Sequence, residues 1–348
     1  MKIKSTFKIM LGIGVLALLG CQAVAPLSFE EQDNYEWQEK EQSSTRSVQF
    51  YDQEQFDLEN YMDLNEKEVE LLGSVAMGKE ENLYLSTDLR KGELIHLDPH
   101  TFSSVPLELA TVGLINGFYS ENLNKTFIYD EGTSTVNLLH PDKHHVLGLY
   151  VLPNNPNSEN ASLAYDYTRE VLYIALPVEN KILVMDVRDG MIWDTIEQDL
   201  TGETQVMVYE PAAKLLLGNN GEIMIYDGLN DFELIKTIEA QGEMYVDQAR
   251  DVFYVGTVIY DALNYEKIGE ISDGNRVLAM DHEDYFLVTL GENEGQTILY
   301  ALSPTGEASL GEKEIDFDLN KATYLYEEKT HLIYVYDGIS KVWSYLAR

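Results

Sequence analysis

The residues of this 348-residue chain best suited to metal, nucleophilic or proton-transfer chemistry are seven histidines, one cysteine and sixty acids. His140, His144 and His145 lie close together in LHPDKHHV. Neighbouring side chains on an extended strand point to opposite faces, so His144 and His145 cannot easily share a metal. His140 precedes His144 by four, a helical ligand spacing, but Pro141 and the surrounding pattern put the segment in a hairpin. In IDFDLN, Asp316, Asp318 and Asn320 have the alternate spacing of a calcium loop. The glycine expected next is Lys321, and the distal Glu is missing from its place. Alternate acids on an exposed strand or loop explain the run better, and calcium is the one cofactor the pattern leaves open. His282 and Glu283 have the types of an acid–base pair, but their register places them in an exposed turn. Gly-x-Ser-x-Gly, Walker and HExxH patterns are all missing. No residue is assigned a catalytic role.

Cys21, the only cysteine, has no intramolecular partner. Lys2, Lys4 and Lys8 precede an apolar run from Ile9 to Leu19, which is signal-peptide architecture and shorter than the ~20 residues of a spanning helix. The run ends in Leu18-Leu19-Gly20-Cys21, which resembles the bacterial lipobox. The resemblance implies cleavage before Cys21 and acylation of its thiol. Each buried methylene contributes ~0.8 kcal/mol, so two or more acyl chains anchor stably. The expectation is an extracytoplasmic protein attached to a bacterial membrane, with residues 1–20 as the lipoprotein signal.

Removing residues 1–20 discards three lysines and no acid, moving the formal charge from −36 to −39. Such a chain repels nucleic acid and anionic headgroups, which excludes both as partners. Residues 21–46 are polar, acidic and aperiodic, so they read as a lipidated flexible tether. As a coil this segment reaches ~25–30 Å.

From residue 47 onward the chain repeats itself. VYEPAAKLLLGNNGEIMIYDGLNDFELIKTI (208–238) parallels AYDYTREVLYIALPVENKILVMDVRDGMIWDTI (164–196), and YVDQARDVFYVGTVIYDALNYEKIGEI (245–271) parallels both. Each unit offers four short apolar stretches divided by turn residues. Met77, Tyr119, Tyr165, Tyr209, Val246, Met280 and Tyr326 mark equivalent first-strand positions. A repeat of about 40 residues with four strands predicts an all-β fold, a seven-bladed β-propeller of four-stranded antiparallel blades spanning 47–348. After Tyr326 there is room for only three strands. A strand from residues 47–72, in SVQFYD or in DLENYMDL, is therefore expected to complete the seventh blade and close the ring.

The units resemble YVTN-type propeller repeats, related to WD-repeat and quinoprotein propellers, through YDALN (260–264) and YDGLN (226–230). The resemblance implies architecture and little about chemistry. Asp98, Asp186, Asp227 and Asp261 end the third strands or follow them, where a short carboxylate caps turn N–H groups. GMIWDTI has a quinoprotein-like phrase around Trp193, but three tryptophans are too few for blade-by-blade docking.

Rigid scaffolds usually bind through loops. The loops at 153–162, 217–222, 86–93 and 290–296 are expected on one rim, which nominates Asn154, Asn155, Asn219 and Asn220. Arg90, Lys91 and Arg276 join them because positive charge is rare here. The expected function is a binding scaffold for a protein or envelope component; the alternative is a lyase or hydrolase with its site at the channel mouth. Oligomeric state is left open. For the anchor, Cys21→Ala should leave the protein unprocessed or released from the membrane fraction; normal processing with full membrane retention would contradict the lipobox reading.

Overall fold

The structure is a computed structural model that describes residues 47–57, 75–77, 83–87, 93–97, 104–110, 115–154, 156, 159–315, 323–327, 330–336 and 341–347. Thr45–Arg348 forms one compact unit. Its strands arrange as seven four-stranded antiparallel sheets, each built in chain order from first to last strand, except the one that uses the amino-terminal strand. The first sheet holds β2 (Val75–Met77), β3 (Leu83–Thr87), β4 (Glu93–Leu97) and β5 (Ser104–Ala110); the second holds β6 (Ile115–Ser120), β7 (Lys125–Asp130), β8 (Thr135–Leu139) and β9 (Val146–Val151). The third comprises β10 (Ser162–Asp166), β11 (Val171–Leu176), β12 (Lys181–Asp186) and β13 (Met191–Glu197). The fourth comprises β14 (Gln205–Tyr209), β15 (Lys214–Asn219), β16 (Glu222–Asp227) and β17 (Glu233–Glu239). β18 (Met244–Asp247), β19 (Val252–Val255), β20 (Val258–Asp261) and β21 (Lys267–Glu270) make the fifth; β22 (Arg276–Asp281), β23 (Phe286–Asn293), β24 (Gln296–Leu302) and β25 (Ser309–Ile315) make the sixth. The last sheet takes β26 (Thr323–Glu327), β27 (Leu332–Tyr336) and β28 (Lys341–Ala347) from the carboxyl end and β1 (Phe50–Asp57) from the amino end.

Burial explains the strand types. Second strands such as VLYIAL (β11) and VFYV (β19) are buried at every position, because a sheet lies against each face. Hydrophobic clusters sit between consecutive sheets: Phe127 and Leu172 join the second and third, Tyr173 and Leu215 the third and fourth, and Phe253 and Ile225 the fourth and fifth. Outer strands alternate instead, as in β13, where Ile192 and Ile196 face inward and Asp194 faces water. Pairing of the third and fourth strands is broken by a register shift in each of the first six sheets. In the second to sixth sheets the residue skipped on the outer strand is large and apolar: Leu147, Trp193, Ile235, Ile268 and Leu310. A bulge increases local twist and blunts an exposed edge, which suits the rim of a blade.

These features establish a β-propeller of four-stranded antiparallel blades. The repeat spacing predicts seven. Five of them, 115–315, are described as complete blades with their turns and side chains; the other two sheets are described mainly as paired strands. The closed ring of seven is therefore carried forward as a proposal.

The amino-terminal expectation resolves onto the first of its two segments. β1 pairs antiparallel with β28, from Phe50 opposite Ala347 to Asp57 opposite Lys341, as the outermost strand of its sheet. Just before it, the Val48 amide donates to the Leu310 carbonyl at 2.9 Å, and Val48 is buried. Gly311 permits this approach, since a Cβ there would overlap the Val48 carbonyl. DLENYMDL after Asp57 lies outside the described residues.

Deleting residues 47–57 should therefore strip Val48 and β1 from the core and lower Tm by roughly 10 °C, the scale of a few kcal/mol of lost burial. Deleting residues 23–44 should leave Tm within about 2 °C. Equal melting of the two deletions would contradict the pairing.

Candidate functional site

In the second to seventh sheets the first two strands meet in a short turn whose last residue has positive φ: Asn124, Glu170, Ala213, Asp251, Tyr285 and His331. Side chains rarely accept this left-handed geometry, and most of these residues repay it with a polar contact. Glu170 receives the Ser120 hydroxyl at 2.9 Å and the Asn122 amide at 2.8 Å from the preceding blade, and the Tyr165 hydroxyl from its own. Asp251 receives the Tyr209 hydroxyl at 2.5 Å across the interface of the fourth and fifth blades. Burial, then the bond to Asp251, pushes the Tyr209 phenol up, so it remains a neutral donor. Buried Asp247 holds the Ala249 and Arg250 amides and accepts His282 Nε2 at 2.9 Å. Buried Asp281 holds the Asp284 amide, His331 Nδ1 at 2.6 Å and the Tyr326 hydroxyl. These are clasps between successive blades.

His282 thus lies in a turn, as its register implies, but it faces a buried carboxylate of the neighbouring blade. Glu283 is exposed. A His, Asp and Arg set does assemble here, since Arg250 comes within 3.8 Å of Asp247. Related clasps recur at other interfaces, which marks the set as architecture.

At the opposite ends of the first strands, a recess of about 350 Å³ opens between the β15–β16 hairpin and the 240–243 connection. Its walls include Asn219, Asn220, Glu203, Glu222 and Glu243. Two of the sequence-nominated residues therefore share one recess, with different roles. Asn219 is 9% exposed; its Oδ1 accepts from the Thr201 amide and from the hydroxyls of Thr201 and Thr204, each at 3.0 Å, and its Nδ2 donates to the Asp199 carbonyl. It staples the incoming chain to the hairpin, with its oxygen fully engaged and one amide N–H committed to Asp199. Asn220 occupies the exposed left-handed turn position. Gly242 crosses the backbone of Gly256 so closely that a Cβ would lie 2.6 Å from the Gly256 Cα, which fixes the recess wall.

Arg276 is the first residue of β22 rather than a loop residue. It ion-pairs with Glu243 and stands 5.7 Å over the Tyr324 ring, linking blades. Burial raises the Glu243 pKa and the Arg276 charge opposes that rise. Asn154 is exposed with positive φ in the 152–161 connection, while Asn155, Arg90, Lys91 and Cys21 lie outside the described residues. The calcium-like triplet Asp316, Asp318 and Asn320 also lies outside them.

The histidine cluster is a hairpin without metal geometry. His140 Nδ1 accepts the Asp142 and Lys143 amides, its ring stacks on His145, and His144 Nδ1 meets the Tyr84 hydroxyl at 2.9 Å. Among the described residues no group of three or more His, Cys, Asp or Glu is placed to hold a metal ion. Asp186, Asp227 and Asp261 cap turn amides at Arg188, Leu229 and Leu263, as their position implies, and Asp98 lies outside the described residues.

A second cavity, about 390 Å³, lies at the other end, among the first strands. Phe118, Tyr165, Met207 and Tyr245 form its walls, and Tyr167, Glu210 and Gln248 stand at its lip on the first turns. Tyr165 stacks on Phe118 with centroids 3.9 Å apart, and Tyr167 meets Tyr165 edge-on at 4.6 Å. Glu210 is fixed by the Tyr167 amide at 3.3 Å and the Thr168 hydroxyl at 2.9 Å. The residues nominated from the sequence were expected in loops of the opposite rim, and none of these cavity residues was among them.

Fold and sites together define a β-propeller whose acids and histidines brace blade interfaces and whose open recesses are lined by amides, acids and aromatic rings. No protein-family model matches the chain, and no curated protein sequence matches it.

The two asparagines give a contrast. Asn219→Ala should destabilise the fold by about 2–4 kcal/mol, because three donors and one carbonyl lose a buried partner. Asn220→Ala should cost under about 1 kcal/mol, the difference between Asn and Ala in a left-handed turn. Thermal or chemical unfolding of both variants checks this, and equal losses would contradict the assignment.

Proposed function

We propose that this protein is a lipid-anchored, extracytoplasmic binding scaffold, a closed seven-bladed propeller that holds a protein or envelope component at its loops or channel mouth. The signal-like amino terminus and Cys21 support the anchor. The sheet built from both chain ends supports closure, since a shared sheet removes the free edges that an open array would keep. The observation that carries the binding role is the placement of ionisable groups. His282, His331, Asp247, Asp281 and Glu170 are engaged in blade-to-blade clasps, whereas the two recesses are lined by Asn220, Gln241, tyrosine rings and the carboxylates of Glu203, Glu222, Glu243 and Glu210, with no histidine beside them. Such surfaces supply contact energy through a few anchors rather than proton transfer.

The rival is a lyase or hydrolase, and the His282–Asp247–Arg250 set is its best support. Its weakness is repetition: an acid–base centre occurs once, whereas polar clasps occur at several interfaces.

The test is partner capture by the mature protein, repeated after replacing 153–162 and after Asn220→Ala. Capture reduced at least tenfold, with unchanged melting, supports the scaffold. Turnover of any substrate that falls 10²–10⁴-fold in His282→Ala without a change in Tm overturns it in favour of the enzyme.

A further inference from the structure

The geometry points to the cavity among the first strands as a site for an organic cation: a protonated amine, a quaternary ammonium or a guanidinium group. This rests on the binding-scaffold reading and specifies what one of its sites takes. The volume, about 390 Å³, is at the small end of ligand pockets and suits one small molecule or one long side chain. The lining includes no Lys, Arg or His, and its one carboxylate is Glu210. An anion would therefore find no countercharge, while a cation meets one at the lip.

The rings are held ready. Stacking on Phe118 and the edge contact with Tyr167 limit the motion of Tyr165. Two of the hydroxyls are already engaged. That of Tyr165 donates to Glu170, and that of Tyr245 accepts the Met280 amide at 3.0 Å. Their rings, rather than free hydroxyls, are thus what these residues bring to the cavity wall. A phenol that donates to a carboxylate gains electron density, which strengthens attraction of a cation to its face. The long-range field has the same sign, since the chain carries −36. Neutral sugars also stack on tyrosines and can hydrogen-bond a carboxylate, but they gain nothing from the net charge.

The test titrates the full chain in detergent micelles with choline and with its neutral isostere 3,3-dimethylbutan-1-ol. Choline should bind at least about tenfold more tightly than the alcohol and weaken with added salt. Tyr167→Leu and Glu210→Gln should each weaken choline about three- to thirtyfold, while Tyr165→Phe, which keeps the ring, should weaken it less. Equal binding of the two probes overturns the inference. So does choline binding unchanged in both Tyr167→Leu and Glu210→Gln at native Tm. Two sources of the cation separate by competition. If excess choline displaces a captured protein partner, the natural ligand is a Lys or Arg side chain; if capture persists while choline binds, it is a free amine. Partner capture with neither probe bound would sink this inference and leave the scaffold reading standing.

Discussion

The propeller depends on polar contacts that four of its first turns make with a neighbouring blade. Apolar packing between sheets is non-directional, and two twisted sheets could slide past one another at little cost to buried area. Glu170 on Ser120, Asp251 on Tyr209, His282 on Asp247 and His331 on Asp281 remove that freedom, each tying one blade's turn to a neighbour's first strand. Their carboxylates are mostly buried, so each is worth about 1.5–3 kcal/mol when satisfied and costs as much when its partner is lost. Three of these four turn contacts come from a residue in the left-handed region, so local strain and blade registration are coupled.

The clasps also change what the charged residues can do. An imidazole 2.9 Å from a buried carboxylate has the look of an acid–base pair when seen alone. Seen with His331 on Asp281 one interface later, it is the same joint with a different lining. Asp166, at the corresponding end of β10, serves the same turn by holding the Arg169 amide and side chain. The end of a first strand is the one place in a blade where a carboxylate reaches both its own turn amides and the next blade.

Much of the fold was legible because blade strands are written in a short-range code. The seven first-strand markers from Met77 to Tyr326 all fall on first strands, and Asp186, Asp227 and Asp261 end third strands. Tyr209 is one residue out of step: it ends β14, as Asp166 and Asp281 end β10 and β22, whereas the other markers in those blades sit one position earlier. Its apolar ring next to Val208 hid the shift. The amino-terminal strand was expected but not located, since pairing of Phe50 with Ala347 links residues with no local pattern in common. The site was less legible for the same reason. Asn219 looked like a free loop amide, yet its donors Thr201 and Thr204 lie in the connection before the blade. Arg276 looked like an isolated cation, yet Glu243 comes from the connection before β18 and Tyr324 from β26. Rim position alone cannot separate an amide that staples from one that is offered.

The scarcity of positive charge completes the account. Arg169 turns to Asp166, Arg188 to Asp186, Lys214 to Asp227 and Arg276 to Glu243, so these cations neutralise acids within the fold. Asp186 shows the effect: hydrogen bonds from Arg188 hold its carboxyl below the usual range. With these cations paired, the surplus of acids is left to face solvent. That surplus discourages close approach to an anionic surface. It also biases encounters toward neutral and cationic molecules before any pocket is reached. The scaffold proposed above would draw selectivity from this field and affinity from its recesses, and neither requires a reactive side chain.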